Sequence, residues 1–243
     1  SRYYRTKKDF FVVIVKNLCI IPARGGSKRI PRKNIKDFLG KPIIAYSIEA
    51  ALQCGLFDEV MVSTDDEEIA AIARQYGASV PFMRSKEQSN DYATTADVLL
   101  EVINCYEELG QNFDILCCLY ATAPFVNANK LMNCFSLLED NIDSAFTVVP
   151  YSYPIQRSLI QRDKRIEMAY PEYKNSRSQD LDIHYHDAGQ FYFSTVENVR
   201  KNKSLWGNNT APYILSELEV QDLDTPTDWK LAEIKYTLLN KEA

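Results

Sequence analysis

The chain has 243 residues, 46% of them hydrophobic, enough to bury the core of one domain with a small appendage. Its 28 basic residues against 33 acidic ones give a net charge of −5, which excludes a broad nucleic-acid-binding surface but not a local basic pocket. No apolar run in the sequence is long enough to span a bilayer as a helix.

Residues 1–16 place Arg5, Lys7 and Lys8 ahead of an apolar run from Phe10 to Val15, as a secretion signal does. A small-residue cleavage site is missing and Lys16 cuts the run short, so the segment is expected to be an extension, native or appended, before a domain that starts near Asn17. From there short apolar runs alternate with helical patterns, the mark of a mainly parallel sheet with crossover helices. Leu18–Ile21 reads as the first strand, and a helix starting near Pro42 carries Ile44, Ile48, Ala51 and Leu52 until Gly55. Val60–Val62 is a second strand; Ile69, Ile72, Ala73 and Tyr76 form the apolar face of a helix closed by Gly77. A short strand is expected around Val80, then a polar loop from Arg84 to Tyr92. Thr94 and Asp97 open a helix facing inward with Val98, Val102, Ile103 and Tyr106. Ile115–Tyr120 is a buried strand, Leu131, Cys134, Phe135 and Leu138 mark a helix, and Ala145–Val149 is a further strand. Between Pro150 and about His186 tyrosines, arginines and prolines replace the apolar runs, as in a lid or a dimer-forming arm. An aromatic strand, Gly189–Phe193, restores the pattern, and Thr225 caps a last helix beginning at Pro226, with Asp228 in its first turn. The six cysteines (Cys19, Cys54, Cys105, Cys117, Cys118, Cys134) lack C-x-x-C spacing, so free thiols in a reducing, cytoplasmic setting are expected.

The chemistry concentrates in Ile21-Pro22-Ala23-Arg24-Gly25-Gly26-Ser27-Lys28-Arg29-Ile30-Pro31-Arg32-Lys33-Asn34. A glycine pair directly after a first strand lets backbone N–H groups approach a phosphate, and Arg24, Lys28, Arg29, Arg32 and Lys33 supply charge for a polyphosphate. No hydroxyl follows the lysine, so this is not the common P-loop, and no G-x-G-x-x-G marks a dinucleotide fold.

This segment resembles the N-terminal signature of the acylneuraminate cytidylyltransferases. Val62-Ser63-Thr64-Asp65-Asp66, Arg84 with Ser89-Asn90-Asp91 and Thr94-Thr95, Ala121-Thr122-Ala123-Pro124, and Asp222-Leu223-Asp224-Thr225 extend the resemblance over nearly the whole chain from Asn17. It implies an α/β fold: a Rossmann-like, glycosyltransferase-A-like nucleotidyltransferase sandwich of three layers. The domain would comprise 17–150 and 183–243, with 151–182 an insert acting as dimerisation arm. It implies CTP as co-substrate and an acidic nine-carbon sugar as acceptor. Arg24, Lys28 and Lys33 would be catalytic. Ala23, Gly25, Gly26, Ser27 and Asn34 would cradle the triphosphate, and Arg84 and Thr95 would lie at the cytidine. Asp222 and Asp224 would bind Mg²⁺ (or Mn²⁺), hard oxygens for a hard cation; the alternative for the pair is to cap the last helix. The implied state is a homodimer with no nucleic acid or membrane partner.

Sialic acid enzymes carry Gln where this chain has Tyr120, and Arg-Pro-Asn-Gly where it has the segment from Tyr185 to Tyr192. Here Tyr120, Thr122, His186, Asp187, Gln190 and Tyr192 resemble the pseudaminic acid branch and are the expected sugar contacts. Legionaminic or N-acetylneuraminic acid is the alternative acceptor, and a catalytically silent nucleotide-binding protein is the alternative of another class. His184 and His186 would share one side of an extended segment, for sugar contact or packing rather than a metal. No residue stands out as a general base.

Overall fold

A computed structural model describes residues 14–139 and 141–241; the expectations for residues 1–13 lie outside them. In chain order, β1 (Asn17–Pro22) leads through the basic loop into a short ladder of β2 (Asp37–Phe38) and β3 (Lys41–Pro42), then α1 (Ile43–Gln53), β4 (Glu59–Ser63) and α2 (Glu67–Gln75). A long loop precedes α3 (Thr95–Glu108), β5 (Ile115–Leu119), α4 (Ala128–Phe135) and β6 (Ser144–Pro150). The hairpin of β7 (Leu159–Arg162) and β8 (Arg165–Met168) is followed by β9 (Tyr185–Thr195), α5 (Val196–Asn202), β10 (Thr210–Ile214) and α6 (Pro226–Lys241).

Six strands form one sheet of order β10-β6-β9-β5-β1-β4. Every neighbouring pair is parallel except those of β9, which runs antiparallel to both β5 and β6. The strands are apolar on both faces because both are covered. Cys19 and Ile21 of β1 join a core with Ile44 and Ile48 of α1, Ile69 of α2 and Leu131 of α4. Leu18 and Ile20 point the other way, to Leu99, Val102 and Tyr106 of α3 and Val199 of α5. The result is the expected three-layer α/β sandwich. A third, smaller core gathers Ile30, Phe38, Tyr46, Leu223 and Trp229, and so joins the basic loop to the start of α6. Trp229 packs edge-on against Phe38 and donates its indole N–H to the Asp37 carbonyl at 3.2 Å.

The helix boundaries follow their chemistry. Asp66 caps α2 by accepting the Ile69 N–H, and Thr94 and Asp97 form a reciprocal capping box on α3. Gly77, just past α2, has φ +98°, which a side chain would strain. At α6, Asp228 accepts the Thr225 N–H while its own N–H donates to Thr225 Oγ1.

Some elements differ from the sequence pattern. The strand expected around Val80 is an isolated bridge between Met61 and Ser79, because a single pair of bonds to the β4 backbone is made there. The helix through Leu131 ends at Phe135, before Leu138. The aromatic strand begins at Tyr185 and bulges, its register against β6 slipping between Phe146 and Val148, with Gly189 at φ +66° inside the bulge. In the insert, β7 and β8 are exposed along nearly their whole length, including Leu159, Ile160 and Ile166. At the other boundary, Val15 already packs on the main core and the Lys16 N–H reaches Asp114 Oδ2 at 2.9 Å.

Candidate active site

The basic loop leaves the C-terminal end of β1 and is built against the turn that follows β4. The Ala23 N–H continues the strand pairing to the Ser63 carbonyl at 2.9 Å, and the Gly25 N–H donates to Asp65 Oδ1 at 2.9 Å. A Cβ on Gly25 would fall 2.8 Å from Asp66 Oδ2, so the approach of the two segments needs a glycine here. Asp66 in turn receives two guanidinium bonds from Arg32, at 2.6 and 2.9 Å, and Arg32 also reaches Glu68 at 2.6 Å. The Arg32 hydrogen bonds hold the Asp66 carboxyl down to about 2, against the opposing effect of burial. Asn34 donates to the Arg24 carbonyl at 3.0 Å, bracing the loop from within.

A cavity of about 360 Å³ opens at this end of the sheet. Arg24, Lys33, Asn34, Arg84, Thr95, Tyr120 and Thr122 all line it, gathering residues from both the nucleotide and the sugar expectations. Arg84 is buried, with Nε on Ser63 Oγ at 3.0 Å and Nη2 on the Ser63 carbonyl at 2.8 Å, which aims its guanidinium. Burial pushes its pKa down, with Asp65 and Glu101 acting in the opposite sense. Arg24 and Lys28 both turn to Asp91, each at 2.8 Å. Gly26 has open space around its Cα, and the Ser27 N–H turns back to the Gly25 carbonyl at 3.1 Å. A larger depression, about 940 Å³, lies at the opposite end of the sheet beside Ile115, Asp143 and Thr195, far from this loop in the topology.

Tyr120 extends β5 into the cavity: its N–H donates to the Gln190 carbonyl and its own carbonyl accepts from Ser47. Its ring lies 5.5 Å from that of Tyr192, and it lines the cavity together with Thr95. The Tyr192 hydroxyl donates to the Asp187 carboxylate, with oxygens at 2.6 and 2.7 Å. Burial pushes both phenols up, so both are neutral donors at physiological pH. The two histidines do not share a site. His186 packs on Tyr151 at 4.9 Å, whereas His184 Nδ1 faces Gln156 Nε2 at 3.0 Å. Gln190 is buried, its amide N–H on the Glu219 carbonyl at 2.6 Å, and like His186, Asp187 and Tyr192 it stands outside the cavity lining, which takes only Tyr120 and Thr122 of the expected sugar contacts.

Leu223 is buried in the third core, with exposed Asp222 and half-buried Asp224 on either side of it. The segment is tied to the basic loop by Lys33 Nζ on the Leu223 carbonyl at 3.0 Å and by Arg29 facing Asp224 at 3.5 Å. Thr225 and Asp228 form the cap of α6, so neither carboxylate is needed for it. Among the described residues no three His, Cys, Asp or Glu side chains cluster as a ready-made metal site. The sequence reading places Asp65, Asp66 and Asp91 in motifs of the resemblance but gives none of them a role in the site. The signal for the first two was present, as acids directly after a parallel strand beside the glycine pair.

A doubly covered, mainly parallel sheet with a glycine-containing basic loop at the C-terminal end of its first strand defines a nucleotidyltransferase. Residues 18–203 match the family model described as cytidylyltransferase, and the chain belongs to that family. It is 44% identical over 231 residues, 94% of this chain and 100% of the relative, to the pseudaminic acid cytidylyltransferase of Campylobacter jejuni. It is 35% identical to the CMP-N,N'-diacetyllegionaminic acid synthase of Legionella pneumophila, covering 93% of this chain and 98% of that one. Among solved structures, CMP:2-keto-3-deoxy-manno-octonic acid synthetase complexed with CTP aligns with TM-score 0.67 at 20% identity, covering 93% of this chain and 99% of that one, a likeness of fold.

The Arg32–Asp66 pair makes acid stability testable. The folded pKa of Asp66, about 2, lies below the unfolded value of about 3.9, so its stabilisation is present above roughly pH 4 and is lost as pH falls through 2. Urea unfolding of Asp66→Asn is expected to show lower stability at neutral pH and a flatter acid limb between about pH 4 and 2 than the unsubstituted chain. An unchanged limb would remove this pair from the stability of the loop.

Proposed function

We propose that this cytidylyltransferase couples CTP to a nine-carbon nonulosonic acid, pseudaminic acid, releasing pyrophosphate and giving the CMP-sugar. The observation that carries the sugar assignment is the chain of contacts that runs from Tyr120, in the cavity lining, to the ring of Tyr192 and from the Tyr192 hydroxyl to the Asp187 carboxylate. It stands where the resemblance marks the acceptor and where sialic acid enzymes differ. The identity to the Campylobacter jejuni relative over its full length supports the same reading.

In this reaction the C2 hydroxyl oxygen of the sugar forms a bond to the α-phosphorus as the bond to the bridging β-phosphate oxygen breaks. The hydroxyl proton passes to solvent, and the electron pair leaves with pyrophosphate. Positioning and charge stabilisation carry such a step. Arg24 and Lys28 neutralise the triphosphate, Gly25, Gly26 and Ser27 let the backbone approach it, and Lys33 holds the loop against the Asp222–Asp224 segment. Arg84, fixed on Ser63, offers donors to the acceptor edge of cytosine, which a uracil or purine would not match in the same way. Thr122 and Tyr120 bound the sugar side.

The segment around Leu223 suits a hard divalent ion: two carboxylates flank a buried anchor, free of capping duty, beside the loop that takes the phosphates. Asp222 and Asp224 would hold Mg²⁺, which supplies Lewis-acid stabilisation of phosphate charge when bound. Free cysteines, Cys117 and Cys118 fully buried among them, fit a cytoplasmic setting. The exposed apolar residues of the β7–β8 hairpin and the neighbouring Tyr153 and Ile183 suit a twofold homodimer.

Pyrophosphate release from CTP is expected to be fastest with pseudaminic acid, with kcat/KM for N-acetylneuraminic acid lower by several orders of magnitude, on the order of 10⁴ where a buried partner is lost. Equal or reversed preference would refute the sugar assignment, and no turnover with any nonulosonic acid would favour a silent nucleotide-binding protein. Asp224→Asn should raise the Mg²⁺ concentration needed for half-maximal rate and lower the rate itself; a titration superimposable on wild type would make the pair structural. Light scattering at micromolar concentration should give twice the chain mass, and a fully active monomer would refute the arm's role.

A further inference from the structure

Five cations crowd the loop between Arg24 and Lys33, yet only Arg24 and Lys28 meet on one carboxylate, that of Asp91. Arg24 Nη1 takes one oxygen and Lys28 Nζ the other, both at 2.8 Å. Asp91 and Arg24 both line the cavity, so the contact is made at the cavity itself. The carboxylate is presented by a tight local turn, in which Asn90 Oδ1 accepts the N–H groups of Tyr92 and Ala93 at 2.8 and 3.0 Å. All three charged groups are solvent-accessible, the Asp91 side chain 53% and Lys28 78% exposed, so the contact is screened and weak enough to exchange. It is made by the two side chains through which a triphosphate would be neutralised.

We infer that Asp91 is a built-in competitor for the phosphate end of the nucleotide, occupying Arg24 and Lys28 until a polyphosphate displaces it and returning to them as pyrophosphate leaves. This rests on the reading that the basic loop takes the triphosphate of CTP. Its consequence is discrimination by charge: a ligand gains from the two cations only after displacing a carboxylate that already satisfies them. A nucleoside without phosphates never meets this competition. Lys28 and Arg24 both hold the Asp91 carboxyl below the usual carboxylate range, so the competitor is fully charged at neutral pH. The adjoining helix does not depend on it, because α3 is capped by Thr94 and Asp97.

Titration calorimetry without metal on wild type and Asp91→Asn, using CTP, inorganic pyrophosphate and cytidine in turn, tests this. Losing two exposed ion pairs is expected to tighten CTP and pyrophosphate by roughly 2–10-fold while leaving cytidine unchanged. Pyrophosphate should correspondingly become a stronger product inhibitor in turnover, which a merely structural role for Asp91 would not bring about. CTP binding that is equal or weaker in the variant, with wild type binding normally, would overturn the inference. Failure of wild type to bind either CTP or pyrophosphate would overturn the cradle reading itself, and the inference with it. An Asp91→Ser variant, with matching thermal unfolding, guards against a local effect of the amide.

Discussion

The paired hydrogen bonds between Arg32 and Asp66 are the constraint on which the rest of the site depends. A loop with five cations in ten residues repels itself, and nothing in its own sequence would hold it in one shape. The fold gives most of these charges a separate partner. Arg32 is held by Asp66 and Glu68, Arg29 faces Asp224, Lys33 takes the Leu223 carbonyl, and Arg24 and Lys28 share Asp91. These contacts differ in how readily they exchange. Asp66 is more shielded than Asp91 and is already committed to the start of α2, so its pair with Arg32 is the fixed one. The pairs on Asp91 are open to solvent. Neighbouring residues of one basic run thereby differ in how firmly they are held.

The second constraint is topological. In a wholly parallel sheet the C-terminal ends of the strands would deliver loops alone to the site. Because β9 enters antiparallel between β5 and β6, its N-terminal half arrives at that end, carrying Tyr185 to Gln190 with it. The bulge around Gly189 then breaks the alternation of the strand, so that Asp187 and Tyr192, five residues apart, meet through a hydrogen bond. A regular strand would have put residues of odd separation on opposite faces. The bulge thus makes the proposed sugar wall from residues that a simple strand would have separated.

Much of this was legible in the sequence, and its limits have physical causes. The β1 loop, the capping box at Thr94 and Asp97 and the start of α6 are local, and residue types there dictate the geometry directly. Strand direction is not local: Gly189–Phe193 reads as an aromatic strand in either orientation, and only its partners decide. The apolar pattern around Val80 reads as a strand although only an isolated bridge forms there, because its single pair of bonds depends on β4, not on its own composition. Helix α5 and strand β10 carry no clear sequence signal because β10 is five residues long with a proline inside it, and α5 is short and mostly polar, stabilised by a Thr195 cap and a few buried residues rather than by a long apolar stripe. Likewise, Gln190 reads as a polar contact on an aromatic strand, and its burial against Glu219 follows from a turn 29 positions downstream that no local pattern reveals.

That downstream turn also explains how both halves of the site are kept in register. Glu219 accepts from Ser216 in its own capping box, offers its carbonyl to Gln190, and pairs with Lys130 at 2.8 Å. Lys130, only 12% exposed, also donates to the Phe125 carbonyl at the end of the loop that follows Tyr120. Lys235 of α6 holds the Glu217 and Val220 carbonyls from the other side. Gln190 of β9 and the loop after Tyr120 are therefore joined by a shielded ion pair and a set of backbone carbonyls whose residues stand outside the cavity lining. Removing one partner of such a pair would leave the other charge poorly solvated, a cost that keeps this frame closed.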